Sequence, residues 1–346
     1  MPTRVRKIKM RPTPIQKRIL KKWIGTSRYV YNNCLSGIRR GEYNINFMSL
    51  RDEFVTYKRN GSTSKDYSLY DMFYKYKVKD WELETPKEIR ANAVKDLVNA
   101  FKTCFSKLKN KQILKFNVSY RKKKKPSSIV IQKQSINLRD KKVRIYPEYM
   151  KSGIRLVNDK CLKNLKITKD CRIKYVRGEY YLMVPVKKKI TNRNPTYRTS
   201  CGIDPGIRKF ATVYSNEEMF YIKTRKDKLR KLYLKIDNLN RIRSKEKISY
   251  SKYKRHINRY YNKLDNRIDD MQNTLISILT SKYSKIHLPK FESQDIGRKL
   301  RNSRRNLFQL KHYKFKTKLI DKCSLYSDVD LNICTEEYTT KTCTRC

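Results

Sequence analysis

An α+β fold built from several modules is predicted by three features of the sequence. Apolar residues recur at helical spacing between residues 14 and 108. Stretches that alternate or are rich in β-branched and aromatic residues then follow as far as 186, and beyond 199 a strand–turn–strand pattern leads into long charged helices. The segments run 1–60 (a strand and a helix-turn-helix-like stretch), 61–112 (helical), 113–190 (β-barrel-like or a sandwich), 199–335 (strands with a helical hairpin) and 336–346.

Each element has a local reason. Residues 4–10 alternate basic and apolar, as in a strand. Thr13 and Pro14 then form a cap and a first helical position, and Ile15, Ile19, Leu20 and Trp23 make one stripe. Gly25 is expected to end that helix, with a second starting near Arg28. Thr85-Pro86-Lys87-Glu88 reads as a capping box ahead of a helix to about Leu108. Strands are predicted at 128–134, 142–146, 172–176 and 180–186, with Arg177-Gly178 as a turn. After a polar linker (187–198) come strands at 201–204 and 210–214, helices near 223–243 and 253–283, and a short strand at 286–288. A basic helix over 298–321 and a strand over 329–334 complete the pattern.

The 85 Lys+Arg against 31 Asp+Glu leave a net charge of +54, and acids are scarce although AT-rich codon usage would favour Glu as well as Lys. Such a charge repels itself and calls for a polyanionic partner, with nucleic acid ahead of an anionic membrane surface. No stretch approaches eighteen apolar residues and the first ten residues carry no apolar core of a signal peptide, so an intracellular protein with no membrane role is expected, in the cytoplasm or nucleus of its host. Nine scattered cysteines, of which only Cys343 and Cys346 have metal-ligand spacing, do not form the framework of a small secreted domain.

Two carboxylates stand where chemistry is done. Asp204 ends an apolar strand just before Pro205-Gly206, and Glu292 follows the short strand Ile286–Leu288. Strand-end acids brought together from distant parts of a chain would suit Mg²⁺ or Mn²⁺ and phosphodiester cleavage. The plainer alternative is that Asp204 caps a turn and Glu292 lies in a solvated loop.

The string CGIDPGIRKFATVYS resembles the first RuvC motif of the TnpB/OrfB family, transposon-encoded proteins similar to type V CRISPR nucleases. IHLPKFES resembles the second RuvC motif, and CTEEYTTKTCTRC resembles the entry into the family's zinc ribbon. TPIQKRILKKWIGTSRYVYN and TPKEIRANAVKDLVNAFK resemble its N-terminal helical segments. The resemblance implies an RNase H-like (RuvC) nuclease domain over 199–335 with a helical hairpin insertion, an N-terminal helical and β-barrel nucleic-acid-binding region, and an incomplete zinc ribbon over 336–346. It also implies an RNA-guided, metal-dependent DNA endonuclease with guide RNA and target DNA as partners. Asp204 and Glu292 would be its first two catalytic carboxylates and its Mg²⁺ or Mn²⁺ ligands.

The family pattern continues with a second Cys pair and a third catalytic Asp, whereas this sequence ends at Cys346. Cys343 and Cys346 supply half of a tetrahedral Zn²⁺ site, which needs the second pair. Asp321, Asp328 and Asp330 do not match the third position. The expectation is therefore a truncated relative that binds nucleic acid and cleaves poorly. Alternatives are a non-catalytic RNA- or DNA-binding relic and a transposase performing strand transfer.

The three histidines lack metal spacing, and His312 is read as solvated or core-packed. Candidate phosphate contacts are Arg121, Lys122 and Lys123 on a loop, and Arg298, Lys299, Arg301, Arg304 and Arg305 on the basic helix.

Overall fold

The computed structural model describes residues 3–56, 76, 78–139, 141–157, 165–224, 226–291, 296, 298 and 304–335. The chain divides into two compact units, Arg4–Val186 and Lys187–Cys346 with the first three residues.

In the first unit, strands β1 (Thr3–Arg11), β2 (Ser127–Ile131), β3 (Ile136–Arg139), β4 (Lys142–Ile145), β5 (Ile154–Val157), β6 (Cys171–Val176) and β7 (Glu179–Lys187) form one sheet. Its order is β2-β6-β7-β1-β5-β4-β3. The N-terminal strand thus sits inside the sheet made by residues 127–187, antiparallel to β5 through Lys9–Val157, Met10–Leu156 and Arg11–Arg155. β6 and β7 close as a hairpin on Arg177 and Gly178, whose φ values of 48° and 85° give the left-handed two-residue turn that matches strand twist.

Helix α1 (Pro14–Arg39) covers this sheet. Thr13 caps it as predicted: its hydroxyl accepts from the Gln16 N–H at 3.3 Å, and the Gln16 carboxamide oxygen accepts from the Thr13 N–H at 2.9 Å. The expected turn at Gly25 does not occur. Leu20, Trp23, Ile24, Ser27, Val30, Tyr31, Cys34 and Leu35 continue one buried stripe through it, and a single helical glycine costs only about 1 kcal/mol. The first half of α1 packs on the sheet. The second half packs with α2 (Phe47–Phe54) and the helix over Lys87–Lys109 around Leu50, Phe54, Ala93, Leu97 and Phe101. Those two helices flank the short α3 (Asp80–Leu83), which makes Lys87–Lys109 helix α4. The capping box expected at Thr85 is absent as well. Pro86 is the cap residue of α4, and the buried Thr85 hydroxyl bonds the Thr26 hydroxyl at 2.9 Å, tying the approach to α4 onto α1.

In the second unit, β8 (Tyr197–Pro205), β9 (Lys209–Tyr214), β10 (Met219–Lys223), β11 (Tyr283–Pro289) and β12 (Asp330–Cys334) are ordered β10-β9-β8-β11-β12. The first three run antiparallel, while β11 is parallel to both β8 and β12. Parallel neighbours need long crossovers. Helices α5 (Lys226–Ser244) and α6 (Tyr250–Lys282) supply the first; α7 (Arg304–Leu310) and α8 (His312–Cys323) lie in the second. Leu229, Leu232, Leu264 and Ile268 hold α5 against α6. The end of α6 and all of α8 cover one sheet face through Leu275, Ile276, Leu279, Phe315 and Leu319. The basic helix expected over 298–321 is interrupted: Lys311 takes φ 56°, ψ 50°, a left-handed residue that separates α7 from α8.

Candidate functional site

Alternation along β8 sets the site. Cys201, Ile203 and Pro205 point into the core, and Gly202 and Asp204 face outward on the side the helices leave uncovered. Asp204 pairs across the ladder with Thr212 of β9, and its exposed carboxylate makes no hydrogen bond or ion pair with another described residue. Both its oxygens are therefore available to a ligand.

The parallel partner comes next. His287 of β11 lies opposite Gly202, so two residues further on Pro289 is level with Asp204. The carboxyl ends of β8 and β11 thus finish side by side, and Cys334 of β12 ends opposite Pro289. Carboxyl ends of adjacent parallel strands are where open α/β sheets bind ligands. Glu292 lies outside the described residues, three positions past the end of β11.

Below this edge lies a side chain whose part the sequence did not reveal. His312, the first residue of α8, is 4% exposed. Its ring stacks on Phe210 of β9 (centroids 4.9 Å apart, planes 11° apart) and lies 4.5 Å from the ring of Phe291, the residue before Glu292. Burial pushes its pKa down to about 4, and the nearby Gly206 backbone opposes this only weakly. Neither ring nitrogen reaches hydrogen-bond geometry, so the imidazole is a neutral plate between two aromatic rings. It joins the Asp204 turn to the residue preceding Glu292, and itself lies about a hundred positions from Phe210, a separation no local pattern can signal.

Gly206 turns the chain after Asp204. Its N–H bonds the Phe210 carbonyl at 3.2 Å, and a Cβ there would meet the Lys209 carbonyl oxygen at 2.7 Å.

The carboxylate of Asp328 is occupied. Asp328 accepts from the Arg193 N–H at 2.8 and 2.9 Å and from the Asn194 N–H at 2.7 Å, bonds that hold its pKa below the usual range. It braces the approach to β8. Among the described residues no three His, Cys, Asp or Glu side chains gather to hold a metal. Cys343 and Cys346 lie outside them. Burial raises the Cys201 thiol to about 12 and the Cys171 and Cys323 thiols to about 11, which makes all three poor ligands. An oxygen-ligated cation such as Mg²⁺ or Mn²⁺ matches the free carboxylate of Asp204 better than a thiolate site would.

The basic candidates divide into two kinds. Arg121 donates to Asp96 at 2.9 Å and lies 3.9 Å from the centre of the Tyr31 ring, so its charge is spent inside the first unit. Asp96 also accepts from Arg172 at 2.6 Å. Burial would raise its pKa, but the Arg172 and Arg121 contacts bring it below the ordinary carboxylate range. Lys122 and Lys123 are exposed on the adjoining loop. Arg304 and Arg305 open α7 and are exposed, Arg305 paired with Asp237 at 2.7 Å; Arg298 is exposed too, while Lys299 and Arg301 lie outside the described residues.

Comparison with known proteins agrees with the motifs. The OrfB_IS605 family model, described as a probable transposase, matches residues 183–295, and the family's helix-turn-helix domain model matches residues 1–44. A putative transposase of Paramecium bursaria Chlorella virus 1 is 30% identical over 362 aligned positions, covering 99% of this chain and 78% of that protein. A TnpB-like protein of Acanthamoeba polyphaga mimivirus is 26% identical over 373 positions, covering 98% of this chain and 66% of its own length. A Cas12f1 chain, solved by cryo-EM in complex with sgRNA and target DNA, aligns over the whole chain and 88% of its own, at 15% identity and a TM-score of 0.28, a likeness too loose to assign a fold. On the motifs, the family models and the algal-virus relative together, this chain belongs to the TnpB/OrfB family of transposase-related proteins.

Proposed function

We propose that the chain is the nuclease-bearing part of a transposon-encoded, RNA-guided, metal-dependent DNA endonuclease, with guide RNA and target DNA as its partners. The observation that carries this reading is the edge where β8 and β11 end level with each other, with Asp204 free and outward on one strand and Glu292 just past the other. The order β10-β9-β8-β11-β12, antiparallel then parallel, agrees with an RNase H-like (RuvC) domain, and α5–α6 would be its helical hairpin insertion. Asp204 and Glu292 would hold Mg²⁺ or Mn²⁺, which supplies an activated water and stabilises the leaving oxygen of the phosphodiester. Zn²⁺ would belong to Cys343 and Cys346 together with a second Cys pair. The net charge of +54 supports a role that holds two polyanions at once. No helix among the described residues is long and apolar enough to cross a membrane.

A non-catalytic nucleic-acid-binding relic is the second reading. It is favoured by Asp328, the acid just before β12, whose carboxylate is committed to the Arg193 and Asn194 N–H groups and so is not offered to a cation held by Asp204. The test is expression with the flanking element DNA, identification of the copurifying RNA, and a Mg²⁺-dependent cleavage assay on matching DNA. Cleavage that is lost in Asp204→Ala supports the nuclease. Retained RNA with no cleavage supports the relic, and strand joining in place of cleavage would identify a transposase.

A further inference from the structure

A cavity of about 320 Å³ opens three residues past Asp204 and has no part in the site described above. Its floor is apolar, from the buried Leu229 of α5 and Leu310 of α7, and Ile207 of the β8–β9 turn forms one wall. Tyr233 lines it with a half-buried ring, and Arg230 and Asn306 stand exposed around the opening. The Tyr233 ring is fixed from outside by the Arg305 guanidinium, 4.5 Å from its centre, which Asp237 in turn holds at 2.7 Å. Neither the Asn306 carboxamide nor the Arg230 guanidinium bonds another described residue, so their donors and acceptor are unspent.

An apolar floor, an aromatic wall held in place, and a single amide at the rim form a small, flat, mostly apolar pocket with few polar groups. A carboxamide presents one donor and one acceptor side by side, the pattern that matches the edge of a nucleobase, while a guanidinium beside it matches a phosphate. The pocket is of a size for a nucleobase, and its Ile207 wall is three residues past Asp204 in the same turn.

We infer that this cavity takes one unpaired base of the DNA strand being cut, next to the scissile phosphate. The inference rests on the nuclease reading of Asp204. A strand whose base is drawn into the Ile207–Tyr233 pocket is anchored at the turn that carries Asp204, and a base that is already unpaired costs least to take in. Selection for single-stranded over duplex DNA follows from the pocket itself, because a stacked and paired base cannot enter it.

The test uses the full chain and a single-stranded oligodeoxynucleotide in which every thymine is 5-iodouracil, irradiated and then mapped by peptide mass spectrometry. Cross-linking at Tyr233 is expected. Asn306→Leu, a change at an exposed rim position, should lower that cross-link about fivefold or more while total DNA retention changes less than about twofold, since stacking on one aromatic is a fraction of a largely electrostatic affinity. The same sequence as a full duplex should leave Tyr233 unmodified. DNA that cross-links elsewhere with Tyr233 unmodified overturns the pocket and leaves the nuclease reading standing. Equal cross-linking of duplex, or an unchanged signal in Asn306→Leu, overturns it too. A chain that retains no DNA at all sinks both.

Discussion

The Gln272 carboxamide of α6 donates to the Leu310 carbonyl at 2.8 Å and approaches the Lys311 carbonyl at 3.3 Å. This buried amide serves the Leu310 carbonyl where left-handed Lys311 breaks the chain into α7 and α8, while the Lys311 carbonyl also accepts the Phe315 N–H at 3.1 Å as the first bond of α8. The break sets His312, the next residue, beneath the β8 and β11 strand ends.

Gln272→Leu keeps the volume and removes the donor, leaving a buried carbonyl unpaired. A loss of about 1–3 kcal/mol of unfolding free energy is expected by chemical denaturation. An unchanged midpoint would mean that the α7–α8 break is held by packing alone.

His312 makes stability depend on pH in one window. An unfolded imidazole binds a proton near pH 6.5, and the folded one near 4, so below 6.5 the unfolded chain carries the extra proton. Stability supported by the neutral ring is complete above 6.5 and is lost as pH falls towards 4, by up to about 3 kcal/mol. His312→Phe should flatten the slope of stability between those pH values. A slope equal to that of the parent chain would relieve His312 of this role.

Gly206→Ala places a methyl group against a backbone oxygen that cannot rotate away. The Asp204 turn must then shift. Metal-dependent cleavage should fall at least about tenfold, as small displacements of reacting groups do, with nucleic-acid affinity little changed. Equal losses in both would show a general loss of folding instead.

The two kinds of basic residue separate in salt titrations. Lys122→Gln with Lys123→Gln should reduce the magnitude of the slope of log affinity against log salt by up to about 2 if both meet phosphate. Arg121→Gln should leave the slope almost unchanged and lower stability, because it removes one of two guanidinium partners of the half-buried Asp96. A lost slope in Arg121→Gln would return that residue to the nucleic-acid surface.

Chelation gives the last check. EDTA should abolish any cleavage while leaving RNA retention intact, and Mg²⁺ or Mn²⁺ should restore it in the parent but not in Asp204→Asn. Cleavage that persists in EDTA would remove the carboxylate-held cation from the mechanism.

Period and punctuation determined most of the elements. The β-branched run Ile129–Ile131, the alternation through Tyr180–Val186, the Arg177-Gly178 turn and the Thr13-Pro14 helix start all rest on neighbours within four residues, so the sequence alone specified them. The motif around Asp204 was legible for the same reason: an outward acid on an apolar strand before Pro-Gly is a local statement. Tertiary contact decided where local rules were in balance. Gly25 became helical because buried residues on both sides share one stripe, and Thr85 gave up its cap for the Thr26 hydroxyl. Long-range pairing decided the rest. β1 entered a sheet formed by strands more than a hundred residues later, Arg121 was drawn to Asp96, and Phe291 met His312 under the Asp204 turn. These contacts are chosen by the burial of whole faces against each other, which no single stretch of sequence contains.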